Sequence, residues 1–330
     1  MEKMSGQPLI PMMASYRALV SRCAIVSAGD AGYPPCLGRL PGGERPARLF
    51  AVGAIPTAPG MALVGTRAPD AHGLMLAGRL ARECASRGIP VISGGASGID
   101  SEAHRSCLDA GGTTVVVLAG GFEHPHPPGS EDLFARAAAS GGCLLSDQQP
   151  SVPTRPFLFL RRNRLIAALA RCVVVVQAGG RSGALSTAAW ARRCGIPLYA
   201  AAGSPLNPRH LGANRLIAGG KACIITAVDD FFRETDGLRE PAAQRPRTGV
   251  GPCAEEPADG LGRSIMDLLG TEPVSVDDMA ARLRVEPSSV IEALFDLEMR
   301  GLARGCDPGR FVASAPIDGK KREKGPPRSP

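Results

Sequence analysis

Residues 172–194 decide the fold, and they read Cys-Val-Val-Val-Val-Gln-Ala-Gly-Gly-Arg-Ser-Gly-Ala-Leu-Ser-Thr-Ala-Ala-Trp-Ala-Arg-Arg-Cys. The four valines in a row are typical of a strand that is covered on both faces, as in a parallel sheet. A glycine-rich loop and a helical pattern follow, which is the order of a βαβ unit. The stretch therefore predicts a doubly wound α/β fold, whose ligand lies at the carboxyl ends of the strands.

The same alternation continues from Met61 onward and predicts an extended Rossmann-like, mostly parallel sheet. The predicted strands are Ala62–Gly65, Pro90–Ser93, Thr114–Leu118, Cys143–Ser146, Cys172–Gln177, Pro197–Ala201 and Ala222–Thr226. The predicted helices are Gly73–Arg87, Asp100–Ala110, Ser130–Ser140, Arg162–Ala170, Leu185–Cys194 and Gly212–Ala218.

Composition divides the 330 residues into five segments. Residues 1–60 are predicted to be an N-terminal extension that packs on the sheet domain of residues 61–236. Residues 237–262 contain four Pro and five Gly and predict a linker. Three helical patterns and a hairpin around Asp307-Pro308-Gly309 predict a small winged-helix domain over residues 263–315. Residues 316–330 are predicted to be a basic, disordered tail.

Charge is distributed unevenly along the chain. Residues 148–228 contain ten Arg and one Lys but no Asp or Glu, within a chain of net charge +7. Guanidinium groups match phosphate oxygens well, so such a tract predicts contact with a nucleic acid. We expect these side chains to frame one trough. The alternative for the exposed Arg residues is that they reflect only a preference for Arg over Lys.

Several function classes are not supported by any motif in the sequence. The ten Cys include no CxxC pair, so buried reduced thiols are expected rather than a disulfide framework or a zinc site. No GxGxxG follows the first predicted strand of the sheet domain and no GxxxxGK[ST] is present, so neither NAD nor a P-loop nucleotide is expected. No stretch of about 18 apolar residues occurs, so we expect a soluble, cytoplasmic protein.

Isolated histidines give no catalytic constellation either. His124 and His126 lie in a Pro-rich loop and are predicted to be surface residues. Glu102 and His104 could form an acid–base pair, but an exposed helical face is the favoured interpretation. We therefore expect no enzymatic activity, no metal and no cofactor.

Three loops follow predicted strands and are rich in small residues: Gly65-Thr66-Arg67, Ser93–Gly98 and Ala178–Gly183. Glycines let backbone N–H groups approach a phosphate, and a following helix adds a favourable dipole, although glycine after a strand is often only turn chemistry. A fourth segment, Phe157–Arg164, places three Arg and one Asn after two Phe. Cations and aromatic rings together are typical of single-strand binding. Alternatively, Phe157 and Phe159 point into the core.

In sequence order these loops resemble the DprA/Smf family of DNA-processing proteins. The motifs that carry the resemblance are Val64–Arg67, Ser93-Gly94 with Gly98-Ile99-Asp100, Ala103-His104, Arg162–Ala167, Ser182–Ala188, Gly203-Ser204 and Gly212–Ile217. Upstream, Gly29-Asp30, Tyr33-Pro34-Pro35 and Leu49-Phe50 also resemble that family. The resemblance covers roughly residues 29–235.

The resemblance implies a protein that binds single-stranded DNA, protects incoming DNA and loads RecA recombinase onto it during natural transformation. It also implies a homodimer. The residues expected to line the DNA groove are Gly65, Thr66, Arg67, Ser93, Gly94, Gly95, Ser97, Gly98, Phe159, Arg161, Arg162, Asn163, Arg164, Arg181, Ser182 and Gly183.

The chain departs from the family pattern at several positions. Gly95 and Ser97 stand where the family usually has Leu and Arg, which removes one cation from the expected phosphate site. His126 stands where Tyr is usual. The alternative function is a nucleotide-processing hydrolase of the LOG or lysine-decarboxylase-like type, but residues 148–228 supply no carboxylate to act as its acid–base group.

The predicted winged helix is acidic, with eight acidic and three basic residues over 264–300. Such a surface repels the phosphates that flank a major groove. We therefore expect this module to contact protein, or the chain's own DNA-binding domain, rather than duplex DNA.

Overall fold

The computed structural model describes residues 16–236, 260–270, 272–299, 302–307 and 309–314. The chain forms two units that divide after Val250. The strands of the first unit are β1 (Ala24–Ser27), β2 (Arg48–Gly53), β3 (Gly60–Gly65), β4 (Val91–Ser93), β5 (Thr114–Val117), β6 (Cys143–Ser146), β7 (Ala170–Gln177), β8 (Leu198–Ala200) and β9 (Cys223–Ile224). Its helices are α1 (residues 16–20), α2 (Ala71–Ser86), α3 (Ile99–Asp109), α4 (Glu131–Ala139), α5 (Pro156–Leu169), α6 (Ala184–Arg193), α7 (Leu211–Ala218) and α8 (Val228–Asp236), with 3-10 turns at Pro35–Arg39 and Pro208–His210.

The nine strands form one sheet in the order β1-β2-β6-β5-β4-β3-β7-β8-β9. All pairs from β6 to β9 are parallel, whereas β1 and β2 are antiparallel additions at one end. The chain builds outward from β3 to β6 and then returns to β7, so the strand order switches direction between β3 and β7. This arrangement confirms the doubly wound, mostly parallel fold and places loops from β3 and β7 side by side at the carboxyl edge.

Both faces of the sheet are covered, which explains the consecutive valines of β7. On one face, Met61, Leu63, Cys172 and Val174 pack against α2 and α3. Helices α5 and α6 pack on each other and on β7. The core is mainly aliphatic, with buried aromatic rings such as Phe134 and Phe232, and the loops that follow the strands lie at the edges of the sheet.

Three parts of the fold differ from the sequence-based expectation. Residues 24–53 do not merely pack on the sheet, because β1 and β2 extend it through an antiparallel pair with β6. Helix α5 begins at Pro156, six residues earlier than predicted, since proline is tolerated in the first helical turn. Helix α8 was not predicted at all, because its acidic first turn hid the buried pair Phe231 and Phe232.

Helix α8 is tied to the sheet domain through several side chains. Asp229 forms an ion pair with Arg79 of α2 at 3.3 Å, and Asp236 forms one with Arg87, directly after α2, at 2.7 Å. Tyr199 of β8 donates to Glu234 at 3.1 Å, and Arg171 of β7 donates to the backbone oxygen of Thr235. Phe231 and Phe232 fill the core beneath these contacts.

The second unit is a winged helix, as predicted. It contains α9 (Gly260–Leu268), α10 (Val276–Leu283) and α11 (Pro287–Met299) with strands β10 (Val274–Ser275), β11 (Ala303–Asp307) and β12 (Arg310–Ala313) in the order β10-β12-β11. Ile265, Met279, Leu294 and Phe311 are among its core residues. The predicted linker and tail lie outside the described residues, except that residues 260–262 belong to α9.

The described cysteines are free thiols. Cys84, Cys107, Cys143 and Cys172 are buried as expected, whereas Cys223 and Cys306 are exposed. Over the described ranges, no helix has the length and apolar character to cross a membrane.

Candidate nucleic-acid interface

Backbone hydrogen bonds join the loops that follow β3, β4 and β7 at the carboxyl edge. The Thr66 amide donates to the Gln177 oxygen at 2.8 Å, and the Ile99 amide donates to the Thr66 oxygen at 3.2 Å. Gly98 has a φ of +85°, and a Cβ there would lie 2.5 Å from the Thr66 oxygen. Glycine is therefore required for this close approach, which brings three of the predicted loops together as expected.

Arg67 and Phe159 form the exposed part of this edge. The Arg67 guanidinium carbon lies 4.9 Å above the centre of the half-buried Phe159 ring. His126, from the loop after β5, packs edge-on against the same ring at 5.3 Å between centroids. The predicted surface residue His126 is thus only part-exposed and belongs to the site. Nothing in its Pro-rich sequence context indicated that it would meet Phe159.

The first residues of the Ser93–Gly98 loop are buried, and only its tip is exposed. Ser93 is fully buried, and its hydroxyl donates to the Leu63 oxygen at 2.6 Å. Its side chain therefore does not face a ligand, contrary to the prediction. Gly95 has a φ of +69°, and a Cβ there would meet Phe134 at 2.8 Å. Ser97 is exposed at the tip. Helix α3 starts after Gly98, and backbone oxygens of the loops take its first amides, because Ile99 donates to Thr66 and Ser101 donates to Ala96.

Arg162 lies beneath this loop, not on the surface. Only 4% of the residue is exposed, and Nη1 donates to the backbone oxygens of Gly94, at 2.7 Å, and Val117. A Cβ on Gly94 would lie 2.4 Å from its terminal nitrogens, so the guanidinium occupies the space beside that glycine. The prediction that Arg162 contacts phosphate is wrong for this structure, because its donors are used by the ends of β4 and β5.

A buried charge pair accompanies Arg162. The Asp100 carboxylate accepts from the Gly94 amide at 3.1 Å, and burial raises the pKa of Asp100 although Arg162 opposes the shift. Burial lowers the pKa of Arg162 to about 10. Burial also lowers the pKa of His104 to about 3, with Arg162 contributing, so this imidazole is neutral at pH 7. His104 is buried and its Nδ1 lies 2.6 Å from the Thr114 hydroxyl oxygen, which corrects the predicted exposed face.

Arg164 is likewise internal. It is 2% exposed and forms a 2.7 Å ion pair with the buried side chain of Asp147, while its Nε donates to the Glu44 backbone oxygen at 2.9 Å. Arg161 approaches the same Asp147 carboxylate at 3.4 Å. The prediction of Arg164 as a phosphate contact is therefore wrong. Carboxylates from outside the 148–228 tract compensate charges within it.

The third loop is attached to α5 through Asn163. This side chain is 7% exposed, and its amide nitrogen donates to the Gly183 oxygen at 3.2 Å. Asn163 therefore holds the loop and does not itself face solvent. Arg181 and Gly183 are exposed, and α6 begins after Gly183 without a side-chain cap among the described residues.

A different polar cluster occupies the point where the strand order switches. Asp70 Oδ2 lies 2.8 Å from the Gln177 amide nitrogen, 3.0 Å from that of Asn207 and 3.0 Å from His210 Nε2. Asp70 Oδ1 accepts from the Gly73 amide at the start of α2. These bonds, led by the Gly73 amide, lower the pKa of Asp70 to about 2. The sequence analysis did not identify this cluster, since its members lie up to 140 residues apart.

Some of the tract lies beside the third loop, since Arg209 and Arg215 are next to Gly179 and Gly180, but other residues lie far from it. Arg171 lies at the start of β7, and Arg192 and Arg193 end α6, all at the amino end of the strands. The expectation of one trough lined by the whole tract is therefore wrong. The structure brings Gly65–Arg67, Ser97-Gly98, Phe159 and the Arg181–Gly183 loop to the carboxyl edge, with Ser93, Gly94, Gly95, Arg162 and Asn163 beneath it.

Comparison with known sequences agrees with this architecture. The profile of the family described as DNA recombination-mediator protein A matches residues 24–236, and the DprA winged helix domain matches residues 252–307. The chain belongs to the DNA recombination-mediator protein A (DprA) family. The putative DNA processing protein DprA of Mycobacterium tuberculosis is 39% identical over 87% of this chain and 72% of its own. Protein Smf of Escherichia coli is 31% identical over 87% and 76%.

Two solved DprA structures share the fold. DNA processing protein A of Helicobacter pylori, reported with a unique single-stranded DNA binding mode, superposes with a TM-score of 0.57 at 28% identity and covers 64% of this chain and 95% of its own. DprA of Streptococcus pneumoniae superposes with a TM-score of 0.58 at 30% identity, over 67% and 77%. The chain is thus a DNA-processing protein by family.

Proposed function

We propose that this chain binds single-stranded DNA along the carboxyl edge of its sheet and acts without catalysis. The observation that carries the proposal is the stack of the exposed Arg67 on Phe159 at the carboxyl edge, where the loops that follow β3 and β4 meet. An exposed guanidinium suits phosphates, and the ring offers a surface on which a base can stack.

The exposure of each residue decides whether it contacts the DNA or supports the loops that do. Arg67, Ser97, Arg181 and Gly183 are exposed, so they supply the phosphate contacts in this proposal. Arg162 and Asn163 hold the loops from below through bonds to Gly94 and Gly183. Fixed loops lower the ordering cost of binding, which makes the supporting residues as important to affinity as the contacting ones.

Similarity to the Helicobacter pylori protein, which has a single-stranded DNA binding mode, supports single strands over duplex as the partner. By family, we further propose that the chain protects incoming DNA, forms a homodimer and loads RecA recombinase during DNA recombination and natural transformation. A RecA filament-assembly assay on protein-coated single strands, with and without this chain, tests the loading step.

The alternative hydrolase function is not favoured by the structure. Asp70 is brought next to the loop after β7, where such an enzyme needs its acid–base group. Donors from Gly73, Gln177, Asn207 and His210 surround its carboxylate, and a pKa of about 2 makes it a weak base. Release of free base from nucleoside monophosphates, abolished in an Asp70→Asn variant, would reverse this conclusion.

The DNA-binding proposal is tested by Arg67→Gln with Arg181→Gln. Removing one cation that binds a phosphate lowers the salt slope of single-strand affinity by about 0.7, so we expect a drop of about 1.4 for the pair. Fluorescence anisotropy with a short labelled oligonucleotide at several salt concentrations measures it, and the same titration with duplex measures selectivity.

A matched control removes two charges elsewhere. Arg79→Gln with Arg105→Gln changes two exposed Arg, on α2 and α3, that pair with carboxylates. We expect this control to keep the wild-type slope. An unchanged slope in the Arg67 and Arg181 variant, or an equal drop in the control, contradicts the proposed site.

A further inference from the structure

Helix α6 connects the two edges of the sheet domain. It begins beside the Gly183 loop at the carboxyl edge and ends at Arg193 near the start of β8. Ten residues at about 1.5 Å each make the helix roughly 15 Å long. Groups on its last turn are therefore separated from the carboxyl-edge loops by about that distance.

Three arginines lie at this far end, which we call the amino-edge patch: Arg39, beside the first residue of β7, and Arg192 and Arg193, in the last turn of α6. Arg39 Nη1 donates to the Ala170 oxygen at 2.9 Å, which fixes it at the start of β7. Arg39 and Arg193 both act electrostatically on Cys194, so the two guanidinium groups lie near the same thiol. Arg192 and Arg193 are exposed and Arg39 is half-buried.

Across the described residues, none of these three arginines forms an ion pair with a carboxylate. Glu44 lies close enough to influence Cys194, but its carboxylate pairs with Arg164 at 3.4 Å. On the other face of the sheet, Arg79 and Arg87 both pair with α8 carboxylates. The amino-edge patch thus retains positive charge where comparable arginines are neutralised.

Arg193 is also held in place. Its guanidinium carbon lies 4.3 Å above the centre of the Trp190 ring. Such stacking uses the flat face of the guanidinium and leaves its N–H edge for an anion. A positioned cation sacrifices less side-chain entropy on binding a phosphate than a free one.

We propose that the amino-edge patch is a second phosphate-binding surface, which holds the backbone of the same DNA strand after it leaves the carboxyl edge. This inference rests on the proposed function. At about 3.4 Å per phosphate of a stacked strand, the roughly 15 Å between the two surfaces correspond to about four or five nucleotides. The partner is a single strand long enough to reach both surfaces.

The test compares short and long strands on the full-length protein. The variant is Arg192→Gln with Arg193→Gln, and the probes are oligo-dT of about 4 and about 25 nucleotides, of which only the longer can contact the first surface and also reach the patch. Removing two phosphate-binding cations should lower the salt slope for the long strand by about 1.4 and its affinity about tenfold near 0.1 M salt, with the short strand unaffected. Arg192→Lys with Arg193→Lys should restore most of the slope, since Lys still binds phosphate as a point charge.

Four outcomes decide the matter. A slope reduced only for the long strand supports the patch, provided that the Arg79→Gln, Arg105→Gln control retains the wild-type slope. An unchanged slope overturns it, and a lower melting temperature in that case shows that the two arginines serve only the α6 dipole. An equal reduction on both strand lengths also overturns it, because the patch would then belong to the first surface. If the wild-type protein binds neither strand, the proposed function itself fails.

Discussion

The two halves of the carboxyl edge show how similar backbones acquire opposite characters. At the switch point, the N-terminus of α2 is closed by the Asp70 carboxylate, which also accepts from Asn207 and Gln177. A few residues along, the Arg67–Phe159 stack lies beside the start of α3, which lacks a side-chain cap within the described chain. A helix N-terminus that already holds a carboxylate offers little to a phosphate, so the Asp70 half is closed, whereas the exposed Arg67 guanidinium leaves the other half open to one.

The comparison also explains why counting charges along the sequence does not predict which arginines are available to a ligand. Arg67 lies outside the carboxylate-free tract and is exposed, while Arg164 lies within it and is buried against Asp147. An ion pair between residues 17 apart in sequence removes a charge that local counting retains. Only the fold decides which arginines remain for a ligand.

The largest effect is expected when the support beneath the open half is removed. Arg162→Ala leaves the buried Gly94 and Val117 oxygens without their donor, so we expect the free energy of unfolding to fall by about 2–5 kcal/mol. Denaturant unfolding measures it. Arg161→Ala, on a neighbouring and partly exposed side chain, is the control and should cost less than about 1 kcal/mol. Similar destabilisation in the two variants would refute the supporting role.

The next effect concerns the ring at the centre of the open half. Phe159→Ala should weaken single-strand binding by about 1–3 kcal/mol if a base stacks there, with the salt slope nearly unchanged, because every phosphate-binding cation is retained. Phe157→Ala removes a second half-buried ring from the same helix as the control. Anisotropy titrations of both variants provide the measurement, and equal weakening would argue against a specific stack on Phe159.

Acid titration addresses the closed half. The folded-state pKa of Asp70 is about 2, below the usual value of about 3.9, so its ionised form stabilises the fold above roughly pH 4. That contribution disappears as the pH falls through 2. The difference in melting temperature between wild type and Asp70→Asn should therefore shrink from pH 5 to pH 2. A constant difference in melting temperature over this range would show that the stability of the Asp70 cluster does not depend on the charge of its carboxylate.

The smallest effect is expected from His126. Burial and the neighbouring Arg67 and Arg162 lower the pKa of this imidazole below 6.5. A bound phosphate would raise the pKa of His126 in the complex above that of the free protein. Single-strand affinity should therefore be a few-fold higher below the pKa of the free protein, and this gain should vanish as the pH rises through the pKa of the complex. His126→Asn should bind with less pH dependence. An identical pH dependence of affinity in the wild type and in His126→Asn would show that a group other than His126 takes up the proton.

Most of the sheet could be predicted from the sequence, because buried parallel strands are continuous apolar runs. Strand β6 matches its predicted bounds, and β7 differs only by two residues at its start. Strands β1 and β2 were missed, since an antiparallel addition at the sheet edge carries no βαβ rhythm.

The site could be predicted only in part. Loop positions follow from strand ends, so Arg67, Gly98 and Gly183 were found from sequence. Burial does not follow from residue type, and Arg162 was assigned to the surface because charged side chains are rarely buried unless paired. Its partner Asp100 lies 62 positions earlier, and the pairing depends on the crossover from β6 back to β7.

The contacts that hold helix α8 on the sheet domain determine where the chain can be truncated. With Phe231 and Phe232 in the core and ion pairs at Asp229 and Asp236, a chain cut after residue 236 keeps every one of these attachments. A cut before residue 228 would open a wall of the core beside α2. The natural boundary for an isolated, folded sheet domain therefore lies just after α8, and a fragment ending there is the one to crystallise with an oligonucleotide.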